Sequence, residues 1–178
     1  MGKLFSALKP QHHEFIAKQK MFFVATTGNN TKINLSPKGL KTLRVIDDNN
    51  LVWLNLTGSG NETAAHLLED NRMTIMFCSF DEKPLILRLY GYAKILTVKD
   101  NKKLYDMFDK FVGTRQLLTM KIESVHSSCG FGVPKYKFIE QRQLLIDWSN
   151  KKGKNGIKKY QQDNNMISLD NKPTGLKF

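Results

Sequence analysis

The stretch Leu51 to Phe80 constrains the fold of this chain more than any other. It reads LVWLNLTGSGNETAAHLLEDNRMTIMFCSF: a strand-like run from Leu51 to Leu56, the loop Thr57-Gly58-Ser59-Gly60-Asn61, a short helix from Glu62 to Asp70, and a second strand-like run from Met73 to Phe80. A loop of glycines and small hydroxyls that empties into a helix N-terminus presents backbone N–H groups to an anion. The same residues predict a capping box, with Ser59 as N-cap and Glu62 three residues on. A capping box serves the helix alone, and a carboxylate at Glu62 competes with a phosphate for the same N–H groups. The loop therefore has two readings, an anion cradle or a plain helix start.

The flanking segments point to a mainly β protein. Met73 to Phe80 is apolar on both faces and should be covered on both sides. Leu85 to Leu96 alternates, with Leu85, Leu87, Leu89, Gly91, Ala93 and Ile95 on one face. Its other face carries Ile86, Arg88, Tyr90, Tyr92, Lys94 and Leu96. Arg88 is either a surface arginine lying along its own stem or a cation aimed at a bound anion. Met21 to Thr27 reads as a strand, Gly28-Asn29-Asn30 as a turn and Lys32 to Ser36 as a hairpin return, which Pro37-Lys38-Gly39 should break. Leu43 to Ile46 and Leu117 to Val125 are further strands, and His126 to Pro134 a loop.

Helices are predicted over His12 to Gln19 and around Leu104, Met107, Phe108 and Phe111. A C-terminal helix should carry Phe138, Gln141, Leu145 and Trp148. Six or seven short strands joined by tight turns fit an antiparallel barrel with peripheral helices better than a parallel sheet. Residues 1–150 form the expected barrel domain. Residues 151–178 read as a basic C-terminal helix and tail, and Asp163 to Phe178 carries few large apolar side chains to hold it down.

Charge narrows the function classes. The net charge is +12 over 178 residues. Residues 1–50 and 151–178 each carry a net +5 and the middle hundred only +2. The excess is lysine, with only five arginines in the chain, and arginine is the better tool for phosphate and base recognition. A solvated basic surface explains this better than specific nucleic-acid binding, although Arg88, Tyr90, Tyr92 and Lys94 offer a faint cation–aromatic face. No apolar run approaches a membrane span, and Met1 to Pro10 has no signal-peptide core. Cys78 and Cys129 lie far apart without a CxxC, which fits a reducing, cytoplasmic setting.

Dinucleotide, P-loop, metalloprotease and hydrolase motifs are absent. The four histidines have no metal-ligand spacing, so no metal is expected, and His66 reads as a packed or surface side chain. Cys129 and His126 make a weak thiol–imidazole pair. No acid, base or nucleophile stands out.

Four strings in order, MFFVATT, INLSPKG, LVWLNLTGSGNETAAHLLEDNRMTIMF and LILRLYGYAKIL, resemble the pyridoxamine 5'-phosphate oxidase-like flavoproteins. The resemblance covers about Lys18 to Ile95 well. It implies a six-stranded antiparallel split β-barrel that dimerises and holds FMN at the subunit interface. It would place Ser36 and Lys38 near the flavin, and Asn55, Thr57, Ser59, Asn61 and Thr63 at the ring edge and phosphate. Arg88 would supply charge from either subunit. Two departures matter. Glu62-Thr63 stands where the B6 oxidases carry Arg-Lys, and the chain ends Gly-Leu-Lys-Phe where they carry Arg-Leu-x-Pro. The implied function is therefore an FMN-dependent oxidoreductase of unknown substrate and not the B6 oxidase itself. The alternatives are a flavin or haem carrier of the same fold, or a basic nucleic-acid-binding barrel.

Overall fold

The computed structural model describes residues 2–178. Eight strands and four helices follow in chain order. They are β1 (Lys3–Phe5), α1 (Pro10–Lys18), β2 (Phe22–Thr26), β3 (Asn34–Lys38), β4 (Leu43–Val45), β5 (Asn50–Leu56), α2 (Glu62–Leu67), β6 (Arg72–Cys78), β7 (Ile86–Leu96), α3 (Lys102–Tyr105), β8 (Thr114–Ser128) and α4 (Leu144–Asn164). All the strands join one antiparallel sheet in the order β3-β2-β6-β7-β8-β5-β4, with β1 added on β8 beyond the end of β5. The outermost strands β3 and β4 do not pair, so the sheet curls into a half-barrel with a split between them. Six strands have five or more residues, as the split barrel requires, and β1 and β4 are three-residue additions.

The centre of the sheet is the pairing of β7 with β8. Leu87, Leu89, Gly91 and Ala93 of β7 face inward, as the alternation predicts. Gly91 sits at a register shift, where a Cβ would lie 2.0 Å from the Lys121 carbonyl oxygen. Only glycine allows the two backbones to approach this closely. The main core joins Val24, Leu51, Trp53, Ile75, Phe77, Leu89, Leu118 and Met120 inside the curl. A second cluster, Val52, Leu54, Leu117 and Phe108, lies on the opposite face of β5 and β8 under the α3 region. Alternating residues of β5 feed both cores. This explains its unbroken apolar run, because a strand covered on both faces has no solvent side to make polar.

Several local expectations are corrected. β6 is covered on one face only, and Thr74 and Met76 stay half-exposed on the other. β3 runs on through Pro37 to Lys38, because an edge strand tolerates a residue without an N–H. β8 absorbs His126 to Ser128, which were expected in a loop. α3 stops at Tyr105, and Phe108 is buried from the loop that follows. α4 begins only at Leu144 and breaks at Gly153, whose φ of 65° suits glycine.

The C-terminal segment is not a loose tail. Asn165 and Thr174 are fully buried, and Ser168 and Leu176 nearly so. Its anchors are polar: Thr174 Oγ1 donates to the Asn165 carbonyl at 2.6 Å, and Lys172 Nζ meets Glu69 Oε1 at 2.7 Å. Counting apolar side chains underestimated it because hydrogen bonds hold it in place.

Candidate functional site

The split opens, between β3 and the part of β5 beyond β4, into a cavity of about 540 Å³. One wall is the inward row of β3, Asn34, Ser36 and Lys38, which is paired with the core row Thr26, Val24 and Phe22 of β2. The opposite wall is Trp53 and Asn55 of β5 with Arg115 of β8. The glycine loop Gly58 to Asn61 and the start of α2, Glu62 and Thr63, form the floor, and Ile167 to Leu169 of the C-terminal segment close it.

The glycine loop is built differently from the expected capping box. The N-cap is Asn61, and it makes no side-chain cap bond. Its amide is used sideways, accepting from Asn55 Nδ2 at 3.3 Å and donating to Gln116 Oε1 at 3.3 Å. Glu62 packs against Gly60 of the loop and accepts the Leu169 N–H at 3.0 Å. The loop carbonyls are pinned from behind. Asn165 Nδ2 donates to the Gly58 oxygen at 3.1 Å, and Arg115 Nη1 donates to the Gly60 oxygen at 2.9 Å. With its carbonyls tied back, this loop has N–H groups to offer a ligand.

Arg115 ties the cavity together. Nη1 also donates to Asn165 Oδ1 at 2.7 Å, and Nη2 donates to Asn55 Oδ1 at 3.1 Å, while Nε is buried with no partner. Burial lowers the Arg115 pKa to about 10, and the nearby charge of Glu62 pulls the other way. Burial lowers the Lys38 ammonium to about 8, and Arg115 pushes in the same direction. Lys38 Nζ lies 5.3 Å from the Trp53 ring centroid. Neither cation has a salt bridge within 4.0 Å among the described residues. Two enclosed cations without a paired acid make a site that attracts anions.

Of the residues singled out from the sequence, Ser36, Lys38, Asn55, Ser59, Asn61 and Thr63 line this one cavity. Thr57 lies just behind it, fully buried, donating to the Gly113 oxygen at 2.8 Å and accepting from Gln161 Nε2 at 2.7 Å. Arg88 is elsewhere. It stands on the outer face of the sheet opposite Met76 and His126, with Nη1 donating to Ser128 Oγ at 3.2 Å. Sequence reasoning missed Asn34, Trp53 and Arg115. Arg115 is an isolated arginine at the start of a strand, and nothing local to it indicates a cavity.

Comparison with known proteins agrees with this architecture. The family profile described as pyridoxamine 5'-phosphate oxidase matches residues 8–129. The pyridoxamine 5'-phosphate oxidase family protein ustO of Aspergillus flavus is 35% identical over an alignment of 143 residues that covers 75% of this chain. The chain spans 57% of the length of that relative. Among solved structures, HupZ of Group A Streptococcus superposes with a TM-score of 0.53 at 20% identity, covering 66% of this chain and 92% of its own. A Clostridium acetobutylicum protein related to general stress protein 26, of the pyridoxinephosphate oxidase family, gives 0.51 at 20% identity, covering 67% and 86%. These two likenesses establish the fold. No helix among the described residues is long and apolar enough to cross a membrane.

Proposed function

This chain belongs to the pyridoxamine 5'-phosphate oxidase family, and on that premise we propose that the cavity at the split binds FMN and that the protein is an FMN-dependent oxidoreductase. The observation that carries the reading is the pair of enclosed, unpaired cations, Lys38 and Arg115, beside a loop whose carbonyls are tied back. A phosphate carries close to two negative charges and takes up charge-assisted hydrogen bonds from such groups. The cavity volume is within the range of small-molecule sites, about 300–1,000 Å³. Lys38 and Arg115 would hold the phosphate with Ser36 and Ser59. Asn55, Asn61 and Thr63 would meet the remaining polar edge, with Thr57 supporting the loop from behind.

Bound FMN would supply the hydride chemistry, which requires no acid, base or nucleophile from the chain. The role of the protein is then to bind, orient and shield the ring. Glu62-Thr63 in place of Arg-Lys argues against the B6 reaction, and Arg115 supplies a cation that the helix start lacks.

The site reading includes a two-fold homodimer. The outer face of the sheet leaves Leu35 63% and Ile33 78% exposed, with Tyr90 and Tyr92 in the open beside half-exposed Met76. A sheet face that leaves these large side chains in the open is suited to a second subunit. Arg88 stands on that face and would bring a further cation to the partner's flavin.

The test is the absorption spectrum of the purified protein together with an FMN titration. Yellow protein with flavin bands, or saturable uptake of FMN, supports the reading. Colourless protein that takes up no flavin overturns it, and a Soret band would assign the cavity to haem.

A further inference from the structure

Beside the cavity, the core encloses a histidine without completing its bonding. His66 of α2 is 1% exposed, with Nδ1 3.1 Å from Thr26 Oγ1 and Nε2 buried without a partner. Glu62 precedes it by four residues on the same helix face. Asp170 arrives from the C-terminal segment. One donor atom from each of Glu62, His66 and Asp170 falls within 4.8 Å of the others. From this juxtaposition we propose that Glu62, His66 and Asp170 form a site for a divalent transition metal of the zinc class, which clamps the C-terminal segment to α2.

The chemistry of the three groups fits. Thr26 can accept the Nδ1–H, which fixes the tautomer and leaves the Nε2 lone pair free. Metal-bound histidines are oriented by such a bond on the other nitrogen. Both carboxylates are already aimed. Glu62 Oε2 accepts the Leu169 N–H at 3.0 Å, and Asp170 Oδ2 accepts the Lys32 N–H at 3.0 Å. Lys32 Nζ also meets Asp170 Oδ1 at 2.6 Å. A carboxylate has about four acceptor positions, so these bonds leave room for an ion.

One imidazole and two carboxylates are a donor set for Zn²⁺, Mn²⁺, Fe²⁺ or Co²⁺. With metal–donor bonds of about 2.0–2.2 Å, the donor atoms sit roughly 3–3.5 Å apart, so binding draws two flexible carboxylates in by about an ångström. A water would fill the open position.

The consequence concerns the neighbouring cavity. Ser168 and Leu169, next to Asp170, form part of its wall, and Glu62 lines its floor. A metal bridging Glu62 and Asp170 would fasten that wall. The site does not rest on the flavin reading, and its test uses no flavin.

Full-length protein stripped with EDTA is titrated with Co²⁺ and then with Zn²⁺. The expected result is one equivalent of Co²⁺ per chain, with the visible absorption of a four- or five-coordinate ion, displacement by Zn²⁺, and a higher melting temperature. Asp170→Asn and Glu62→Gln keep the shape of each side chain and avoid the buried histidine. Each should weaken Co²⁺ binding at least tenfold while circular dichroism stays unchanged. Wild-type protein that shows no saturable one-equivalent binding overturns the proposal. So does binding that survives either substitution at full strength.

Discussion

Arg115 pushes the Lys38 ammonium further below the level that burial already sets, and among the described residues no acid forms a salt bridge with either residue. Two like charges brought together in a partly dehydrated cavity raise the free energy of the empty protein. A bound dianion offsets that cost. This relationship supplies the first two predictions.

Lys38→Met keeps most of the stem and removes the charge. Loss of one charged hydrogen bond weakens FMN binding by roughly 1.5–3 kcal/mol, about ten- to a hundred-fold. Riboflavin, which lacks the phosphate, should distinguish wild type from variant far less. Fluorescence quenching titrations of both ligands measure this, and equal FMN affinity in the variant would show that other groups hold the phosphate.

The pH dependence follows from the sign of the Lys38 shift. Its folded pKa, about 8, lies below its ordinary 10.5, so the unfolded chain binds more protons between those values. The contribution of Lys38 to stability of the ligand-free protein therefore rises from pH 8 to 10.5. FMN binding should show the opposite trend, because the phosphate needs the ammonium protonated. The dissociation constant should climb above pH 8, approaching tenfold per pH unit, and Lys38→Met should abolish that limb. Titrations from pH 7 to 10 on both proteins measure it.

Asn165 links the C-terminal segment to the cavity by accepting from Arg115 and donating to Gly58. Asn165→Ala leaves a part-buried guanidinium and a part-buried carbonyl each short of a partner, which costs up to about 1–3 kcal/mol for each such group. Leu176→Ala, at a 6% exposed position, should cost about 2–5 kcal/mol. Urea unfolding curves read both, and a chain ending at Asn164 should be insoluble or melt many degrees lower. A truncated protein as stable as the full chain would show that the segment carries no load.

The outer sheet face predicts the assembly. Light scattering should give twice the 20.5 kDa chain mass. Replacing Leu35, which is 63% exposed, by Glu should shift the population to monomer, because burying a charge in an apolar interface is costly. Arg88→Met should leave the dimer intact and lower FMN affinity by about tenfold, in line with one lost charged contact. A wild-type monomer at micromolar concentration would remove this interface and the proposed role of Arg88 with it.

What the sequence determined by itself was local and periodic. The alternation of Leu87, Leu89, Gly91 and Ala93 marked the inner face of β7, and the run Leu51 to Leu56 marked a strand. Glycines and small polar residues located the loop before α2, and six of the eight residues named for the cofactor line one cavity. These features were legible because side-chain period and turn chemistry depend on neighbours in the chain.

The rest was decided by contacts between distant segments. The capping box gave way to Asn61 as N-cap because Asn55, Gln116 and Leu169 recruit the side chains of Asn61 and Glu62. Arg115 became a cavity cation only because β8 pairs with β5, placing Gln116 opposite Asn55. Asp170 reaches His66 only because buried hydrogen bonds from Asn165 and Thr174 hold a segment whose composition resembles a free tail. Partners brought together by folding across long stretches of chain leave no periodic trace in either stretch.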